Sequence, residues 1–353
     1  MKYFRLLKVP MLMVALIGSA FGLTDGARTR TDKHTKKVSG PTVERVVAVQ
    51  PNVTVSVCLV SGDIKVHGWD RSEVRARSSD ADTIEFRRPA GDRESEPAKE
   101  ITVLLSEMPS HRSGPCSADA DIELDVPRGA VVRLQTRDGE IQVVDVSAVS
   151  ATAQAGDLEL GGVKRSVEAH TIGGNISLSN STGSIKLYSV GGSITARGVG
   201  PATAADSFEA VSVGGDITIE KNAFVQLKAR TVDGGLSLGG PLAAGGHYEF
   251  KTISGDISLA LPADSSFRLD ATLSRSGELV TEFPLKMTTE LKAPSLPSPP
   301  RTGHPEKGDL TIDSDILIKG SGYGLQRISG VYGTGDALIT ASSFSGAIHL
   351  KKK

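Results

Sequence analysis

The chain has 353 residues, a formal net charge of −1 and only 4% aromatic residues, while glycine is abundant at 39 residues. The nearly balanced charge gives no indication of a nucleic-acid or polyanion partner, since such partners select a strongly basic surface. The scarcity of rings excludes a thick core of large side chains and favours a thin interior of β-branched and small aliphatic residues.

Residues 1–22 are predicted to be a cleavable signal peptide. A short basic segment precedes an apolar run over 9–23, which at about 15 residues is shorter than the roughly 20 that span a membrane. Ala20-Phe21-Gly22 supplies the small-x-small pattern of a cleavage site. We therefore expect an exported protein that is periplasmic, cell-surface or secreted, with no transmembrane segment in the mature chain.

The next two regions are predicted to be a linker and a cap. Residues 23–45 indicate a flexible basic linker, because lysines and arginines cluster there without an apolar period. Residues 46–129 indicate a less regular N-terminal β-region in which short strands alternate with long charged or proline-rich loops, notably 78–99. We expect this region to cover one end of a repeat structure, because a bare terminal strand offers an unpaired edge.

A four-residue turn recurs along most of the chain: a glycine, one small or acidic residue, and then isoleucine or leucine in nearly every copy. The turn glycines are Gly62, Gly139, Gly156, Gly174, Gly183, Gly192, Gly215, Gly234, Gly255, Gly277 and Gly346. From Gly139 to Gly255 their separations are 17, 18, 9, 9, 23, 19 and 21 residues, so the period is near 20 with an occasional half-period. Periods of this size are typical of solenoid coils.

The residues around each turn alternate between apolar and polar, which is the pattern of a β-strand. Each coil is thus predicted to be a strand, a tight turn, a strand and a return loop, and stacked coils satisfy each other's backbone groups. The sequence predicts an all-β fold, a parallel β-solenoid over 130–353, with a proline-rich loop at about 286–308 and almost no helix.

Cys58 and Cys116 are the two cysteines of the chain, and both lie in the part predicted to be exported, where oxidation is permitted. A disulfide between them is one prediction, and two buried thiols are the alternative. Bridging a loop of this length stabilises a fold by about 4 kcal/mol at most.

Three segments resemble the bacterial "putative adhesin" family of β-strand-repeat domains. They are Ser-Gly-Asp-Ile-x-Val-x-Gly-Trp-Asp at 61–70, Ile-Glu-Leu-Asp-Val-Pro-Arg-Gly at 122–129 leading into the turn at Gly139, and Ser-Gly-Glu-Leu-Val-Thr-Glu-Phe-Pro at 276–284. The resemblance covers most of residues 46–350. It implies an envelope or secreted β-solenoid of unknown function, and it attaches no catalytic residue.

Oxygen-bearing side chains in the turns suit a row of calcium sites along one edge of the solenoid. These residues are Glu140, Asp157, Asn175, Ser184, Ser193, Asp216 and Asp256. We favour the alternative that they are turn formers bound to backbone amides, since the dense Gly-Gly-x-Gly-x-Asp repeat of calcium-binding β-rolls is absent. No metal or cofactor is expected.

Four carboxylates alternate along one segment, as a polysaccharide lyase or hydrolase on a β-helix would need: Asp119, Asp121, Glu123 and Asp125. An exposed strand face is the simpler interpretation. Trp69 is interpreted as a ring that closes the N-terminal region rather than a platform for sugar stacking. The seven histidines lack metal-ligand spacing, so no catalytic residue is assigned.

The sequence therefore predicts an exported, non-enzymatic protein that presents a long, rigid β-surface for binding, adhesion or scaffolding. Envelope glycans and other surface proteins are the candidate partners, and nucleic acid is not. A carbohydrate-active enzyme built on a β-helix is the alternative from another class. Self-assembly through exposed terminal coils is the third hypothesis.

Overall fold

The structure is a computed structural model that describes residues 42–93, 95–106, 116, 118–274, 277–290, 310–311, 316–319 and 325–353. The predicted signal peptide lies outside the described residues, as does the linker up to residue 41. The described ranges contain strands, turns and bends, without any helix. Across the same ranges, then, no helix has the length and apolar character needed to cross a membrane.

The strands are named β1 to β28 in chain order. The first half comprises β1 Val43–Cys58, β2 Ile64–Trp69, β3 Glu73–Ser78, β4 Thr83–Arg87, β5 Ala98–Ser106, β6 Ile122–Pro127, β7 Val131–Asp138, β8 Ile141–Val144, β9 Ala148–Ala155, β10 Leu158–Gly161, β11 Ser166–Thr171, β12 Ile176–Ser179, β13 Ser184–Ser189 and β14 Ile194–Val199. The second half comprises β15 Phe208–Ser212, β16 Ile217–Asn222, β17 Gln226–Arg230, β18 Leu236–Gly239, β19 His247–Thr252, β20 Ile257–Leu261, β21 Phe267–Ser274, β22 Glu278–Thr281, β23 Lys286–Glu290, β24 Leu310–Thr311, β25 Ile316–Lys319, β26 Leu325–Tyr332, β27 Ala337–Ser343 and β28 Ile348–Lys352.

Each coil contributes one strand to each of two sheets, which we call sheet A and sheet B. The strands of successive coils pair in parallel within each sheet. A strand of sheet B leads through the glycine turn into a strand of sheet A, and a second corner returns the chain to sheet B. In sheet B the strands β7, β9, β11, β13, β15, β17 and β19 pair in parallel in that order. In sheet A the strands β8, β10, β12, β14, β16, β18 and β20 do the same. The predicted parallel β-solenoid is confirmed.

The interior is thin because it is filled by one column of side chains per strand position, and these are mostly aliphatic, with a few buried rings in the C-terminal half. The residue two positions after each turn glycine points inward, so that Ile141, Leu158, Ile176, Ile194 and Ile217 stack as register partners and are almost completely buried. Inward and outward positions alternate along each strand, as in β11, whose burial alternates over Ser-Val-Glu-Ala-His-Thr.

The order of the coils in space differs from their order in the chain at both ends. The coil β1/β2 lies between the coils β5/β6 and β7/β8, because β1 pairs in parallel with β5 and β7, and β2 with β6 and β8. The last coil, β27/β28, is likewise inserted between β19/β20 and β21/β22. The first and last coils of the chain are thus each covered by a coil from elsewhere in the sequence.

Antiparallel strands lie at the two ends of the stack. At one end β3 pairs with β6 and with residues 43–48 of β1, and β4 pairs with β5. At the other end β26 pairs with β21 and β23, and β25 pairs with β22. Residues 46–129 therefore supply two coils of the solenoid itself as well as covering strands.

Three predicted segments differ from the structure. The predicted linker 23–45 ends inside β1, since pairing of its last residues with β3 extends the strand back to Val43. The predicted loop 78–99 contains β4, which is held by β5. The predicted proline-rich loop 286–308 begins with β23, which is stabilised by pairing with β26. In all three cases a partner distant in sequence creates the strand.

Candidate binding surface

The turn glycines form a column in which backbones approach too closely for a side chain. A Cβ added at Gly156 would overlap the carbonyl oxygen of Gly139, and one added at Gly174 would overlap that of Gly156. The column continues through Gly192, Gly215, Gly234, Gly255 and Gly346. Gly346 meets Gly255, which again places the last coil next to β19/β20. We call this edge of the solenoid the glycine corner.

Gly183 lies at the opposite corner, between β12 and β13. Its φ is +102°, and its N–H donates to the carbonyl of Gly200. The half-period of nine residues around Gly183 in the sequence therefore arises because both corners of one coil carry the same type of turn.

A column of buried hydroxyls supports the glycine corner from inside. Ser212 donates to the carbonyl of Gly192 at 3.0 Å and accepts a hydrogen bond from the N–H of Gly215 at 3.0 Å. Equivalent hydroxyls three residues before a turn glycine donate to the glycine carbonyl of the adjacent coil at Thr171, Ser189, Thr231, Thr252 and Ser343. The sequence carries this signal as Ser or Thr followed by two residues and glycine, a feature that the sequence analysis did not use.

Several of the turn residues considered as calcium ligands accept hydrogen bonds from backbone amides of the adjacent coil, as the favoured alternative expects. Asp157 accepts a hydrogen bond from the N–H of Asn175, Asn175 accepts one from Ser193, and Asp216 accepts one from Gly235. Asp256 likewise accepts one from the N–H of Ala347. Among the described residues no group of three or more acidic, histidine or cysteine side chains is placed to hold a metal ion.

Cys58 and Cys116 are joined by a disulfide, with their Cα atoms 4.7 Å apart. The bond ties the end of β1 to the connection between β5 and β6. It therefore links the two coils whose spatial order is reversed relative to the chain.

The acidic segment considered for catalysis is engaged in structural contacts. Asp125 is 8% exposed and accepts two hydrogen bonds from the Arg75 guanidinium, at 2.9 and 2.7 Å, and this interaction raises the pKa of Arg75. Glu123 forms an ion pair with Arg77 at 3.3 Å, and Asp121 accepts a hydrogen bond from a backbone N–H at 2.8 Å. Asp121, Glu123 and Arg77 also line a cavity of about 310 Å³, so these carboxylates lie next to cationic and backbone donors.

Trp69 is half-buried beside this cluster. Its ring centroid lies 4.9 Å from the guanidinium carbons of both Arg71 and Arg75, and its indole N–H donates to the carbonyl of Glu73. Cations close to its ring occupy the surface that a sugar would need.

The outer face of sheet B carries a row of alternating charges, which we call the charge ladder. Its members are register partners on five successive strands: Glu168, Lys186, Glu209, Lys228 and Glu249. Opposite charges on adjacent strands stabilise the stack modestly. With two lysines and three glutamates the row has a formal charge of −1, so it presents both hydrogen-bond donors and acceptors rather than a strong field of one sign.

Two aromatic rings stack beside the charge ladder. His170 and Tyr188 are register partners with ring centroids 4.7 Å apart and planes inclined by 13°. The Tyr188 hydroxyl donates to Glu209 at 3.4 Å, and partial burial together with this carboxylate raises the pKa of Tyr188. Each ring covers one face of the other, and both residues are half-buried.

A groove of about 500 Å³ crosses β17, β19 and β27 on the same face. Its polar walls are Gln226, Lys228, His247, Glu249, Lys251 and Thr340. Hydrogen bonds from Lys251 and from Arg230 lower the pKa of Glu249, against the opposing effect of burial, so Glu249 is an ionised acceptor. The groove could not be predicted from the sequence, because it forms only where the inserted β27 lies beside β19.

Comparisons with known proteins identify one family and several similar chains. The model of the family Toastrack DUF4097 matches residues 32–224. A solved structure described as a putative cell adhesion protein from Clostridium sporogenes is 11% identical, with a TM-score of 0.27, over 89% of this chain and all of that one. A structure described as a putative adhesin from Parabacteroides distasonis is 12% identical, with a TM-score of 0.39, over 63% of this chain and 91% of that one. Another, described as a putative adhesin from Parabacteroides merdae, is 10% identical, with a TM-score of 0.36, over 63% of this chain and 90% of that one.

A search of curated proteins finds no match. The family match spans more than half of the chain and includes the coils from β1 to β16, whose glycine corner carries the repeated turn. The predicted resemblance to a β-strand-repeat family of unknown function is confirmed, and the chain belongs to the Toastrack DUF4097 family.

Proposed function

We propose that this protein is exported through a signal peptide and acts without catalysis as a binding protein of the cell envelope or exterior, with the outer face of sheet B as its binding surface. The observation that carries the proposal is the groove across β17, β19 and β27. It is a recess on the outer face of sheet B that combines cationic donors, an ionised acceptor and neutral hydrogen-bonding groups.

The composition of the groove favours glycans as ligands. Sugar hydroxyls both donate and accept hydrogen bonds, and the groove supplies donors from Lys228 and Gln226 and an acceptor from Glu249. The His170–Tyr188 stack lies on β11 and β13, with β15 between β13 and the groove, so its rings are about 10 Å from the groove along the sheet. A chain of several sugars would reach both features.

The state of the carboxylates supports a role without catalysis. Glycoside chemistry on two carboxylates needs one of them to hold a proton near neutral pH. Glu249 is held ionised by Lys251 and Arg230, and Asp125 is paired with Arg75. Neither is arranged as a proton donor.

An array of immobilised glycans and envelope proteins, probed with the mature chain from residue 23 onward, tests the proposal. Each bound glycan is then incubated with the protein and the supernatant is assayed for released sugar. We expect saturable binding to a subset of glycans without release. Sugar release, or binding confined to envelope proteins, would contradict the proposed role or the proposed ligand class respectively.

A further inference from the structure

Six exposed apolar side chains form a line along the glycine corner, which we call the apolar ridge. Its members are Ile172, Val190, Val213, Val232, Ile253 and Phe344, each two residues before a turn glycine and between 38% and 61% exposed. Their coils are consecutive in space, so at about 4.8 Å per coil the ridge is about 24 Å long. Contiguous exposed apolar surface of this kind marks interaction sites.

In the coils β17/β18 and β19/β20, basic side chains lie along one margin of the ridge and acidic side chains along the other. On the side of sheet B, Arg230 and Lys251 precede ridge residues by two positions on the same outer face. They share one carboxylate, Glu249, so this margin keeps a net positive charge. On the other side of the ridge, Asp233 and Asp256 are exposed.

We propose that the apolar ridge is a self-association surface for a second copy of this chain, with the two solenoids parallel and the two-fold axis running along them. This rotation places each ridge residue against the same residue of the second copy. It also brings the basic margin of each copy against the acidic margin of the other, pairing Arg230 with Asp233 and Lys251 with Asp256 in both directions.

The alternative antiparallel arrangement lacks this complementarity. Turning one copy end to end would bring Arg230 and Lys251 against the row that contains His170 and Tyr188. At the facing positions that row has Val211 on β15 and Tyr188 on β13, and neither side chain is acidic. The charges therefore select the parallel arrangement over the antiparallel one.

The dimensions of the ridge set the strength of the association. A strip about 24 Å long and about 15 Å wide buries of the order of 700 Å² from two copies together, which is less than the ~1,200 Å² of stable complexes. The dimer is accordingly weak in solution and becomes populated where copies are concentrated. The ridge and the groove meet at Lys251, and because the cross-linking of the ridge is measured without a glycan, its result does not depend on the proposed ligand.

Cysteine cross-linking tests the arrangement directly. Both native cysteines are occupied by the disulfide, so an introduced thiol is free to report contacts between copies. Val213→Cys and Val232→Cys are placed on the ridge, and Thr195→Cys on the outer face of sheet A serves as the matched control. Each variant is oxidised at about 100 µM, where a weak dimer is populated, and the covalent dimer is followed over time.

We expect the ridge variants to cross-link roughly ten-fold faster than Thr195→Cys, because association brings identical positions together. Adding Lys251→Glu to Val232→Cys should slow the reaction, because it removes the complementary charge. Equal rates for the ridge and control variants would overturn the proposal. Faster cross-linking between Val190→Cys and Ile253→Cys than of either with itself would overturn the parallel arrangement.

Discussion

The hydroxyl of Ser343 donates to the carbonyl of Gly255 at 3.0 Å, although the two residues are 88 positions apart. This is the bond that Ser212 makes to Gly192 in the middle of the solenoid. The last coil thus uses the ordinary contacts of the repeat to occupy a position inside the stack. The coil β21/β22 precedes the last coil in sequence but lies farther out, at the end of the stack.

Ending the chain after residue 336 should destabilise the protein far more than trimming a free terminus does. The truncation removes β27 and β28, so that β19/β20 and β21/β22 lose their common neighbour. We expect coils from β21 onward to unfold and the urea m-value to fall. Removal of Lys353 alone is the control, since it costs one backbone hydrogen bond to Leu261, worth about 1 kcal/mol. Unchanged unfolding of the truncated chain would refute the inserted position.

Two adjacent glycines should respond very differently to alanine. In Gly215→Ala the new Cβ overlaps the carbonyl oxygen of Gly192, whereas in Gly214→Ala its nearest neighbour is 3.5 Å away. We expect Gly215→Ala to lower the free energy of unfolding by about 3 kcal/mol or more, and Gly214→Ala to change it by less than about 1 kcal/mol. Urea denaturation of the two variants measures the difference. Equal effects would show that close packing at the glycine corner is not essential.

The buried hydroxyl column should contribute measurably to stability. Ser212→Ala leaves the carbonyl of Gly192 and the N–H of Gly215 without this partner, so we expect a loss of about 1–2 kcal/mol. Ala153 occupies the same position of the column in the coil β9/β10, being the register partner of Thr136 and Thr171. Ala153→Ser is therefore expected to be neutral or stabilising, and thermal denaturation of both variants measures the two effects. A strongly destabilised Ala153→Ser protein would contradict this role of the column.

Asn222 is a candidate for stabilisation by substitution. It is 4% exposed, and neither its amide nitrogen nor its amide oxygen has a hydrogen-bond partner among the described residues. Its register partner in the preceding coil is Val199, which is equally buried. Because an unsatisfied buried amide costs about 1–3 kcal/mol, Asn222→Val should raise the melting temperature and Val199→Asn should lower it. A lower melting temperature for Asn222→Val would mean that the amide is satisfied in solution.

The repeat, the strand character and the glycine corner could be predicted from the sequence, because they follow from local chemistry. Isoleucine or leucine after the turn must face inward, and glycine is required where backbones meet. The order of the coils could not, since the turns at Gly277 and Gly346 are both compatible with stacking on the turn at Gly255. Which of the two turns stacks on the turn at Gly255 is determined only when all the coils are assembled. The groove beside β27 forms only in the arrangement that places Gly346 there.

The apolar ridge also escaped the sequence analysis, although its signal is present two residues before the turn glycines. An apolar residue there is indistinguishable from an inward-facing one until the corner geometry is known. Ile172 and Ile176 lie on either side of the same turn, yet the first is 56% exposed and the second 1%.

The central claim is that the outer face of sheet B is the binding surface, and its most direct test is the affinity of two charge-reversal variants for a glycan identified on the array. Lys228→Glu changes the groove, while Lys351→Glu makes the same change at an exposed position of β28 on the opposite sheet. We predict that Lys228→Glu weakens binding roughly ten-fold or more, about 1.4 kcal/mol, and that Lys351→Glu binds like the unmodified protein. Equal affinities for both variants, or a loss confined to Lys351→Glu, would contradict the claim.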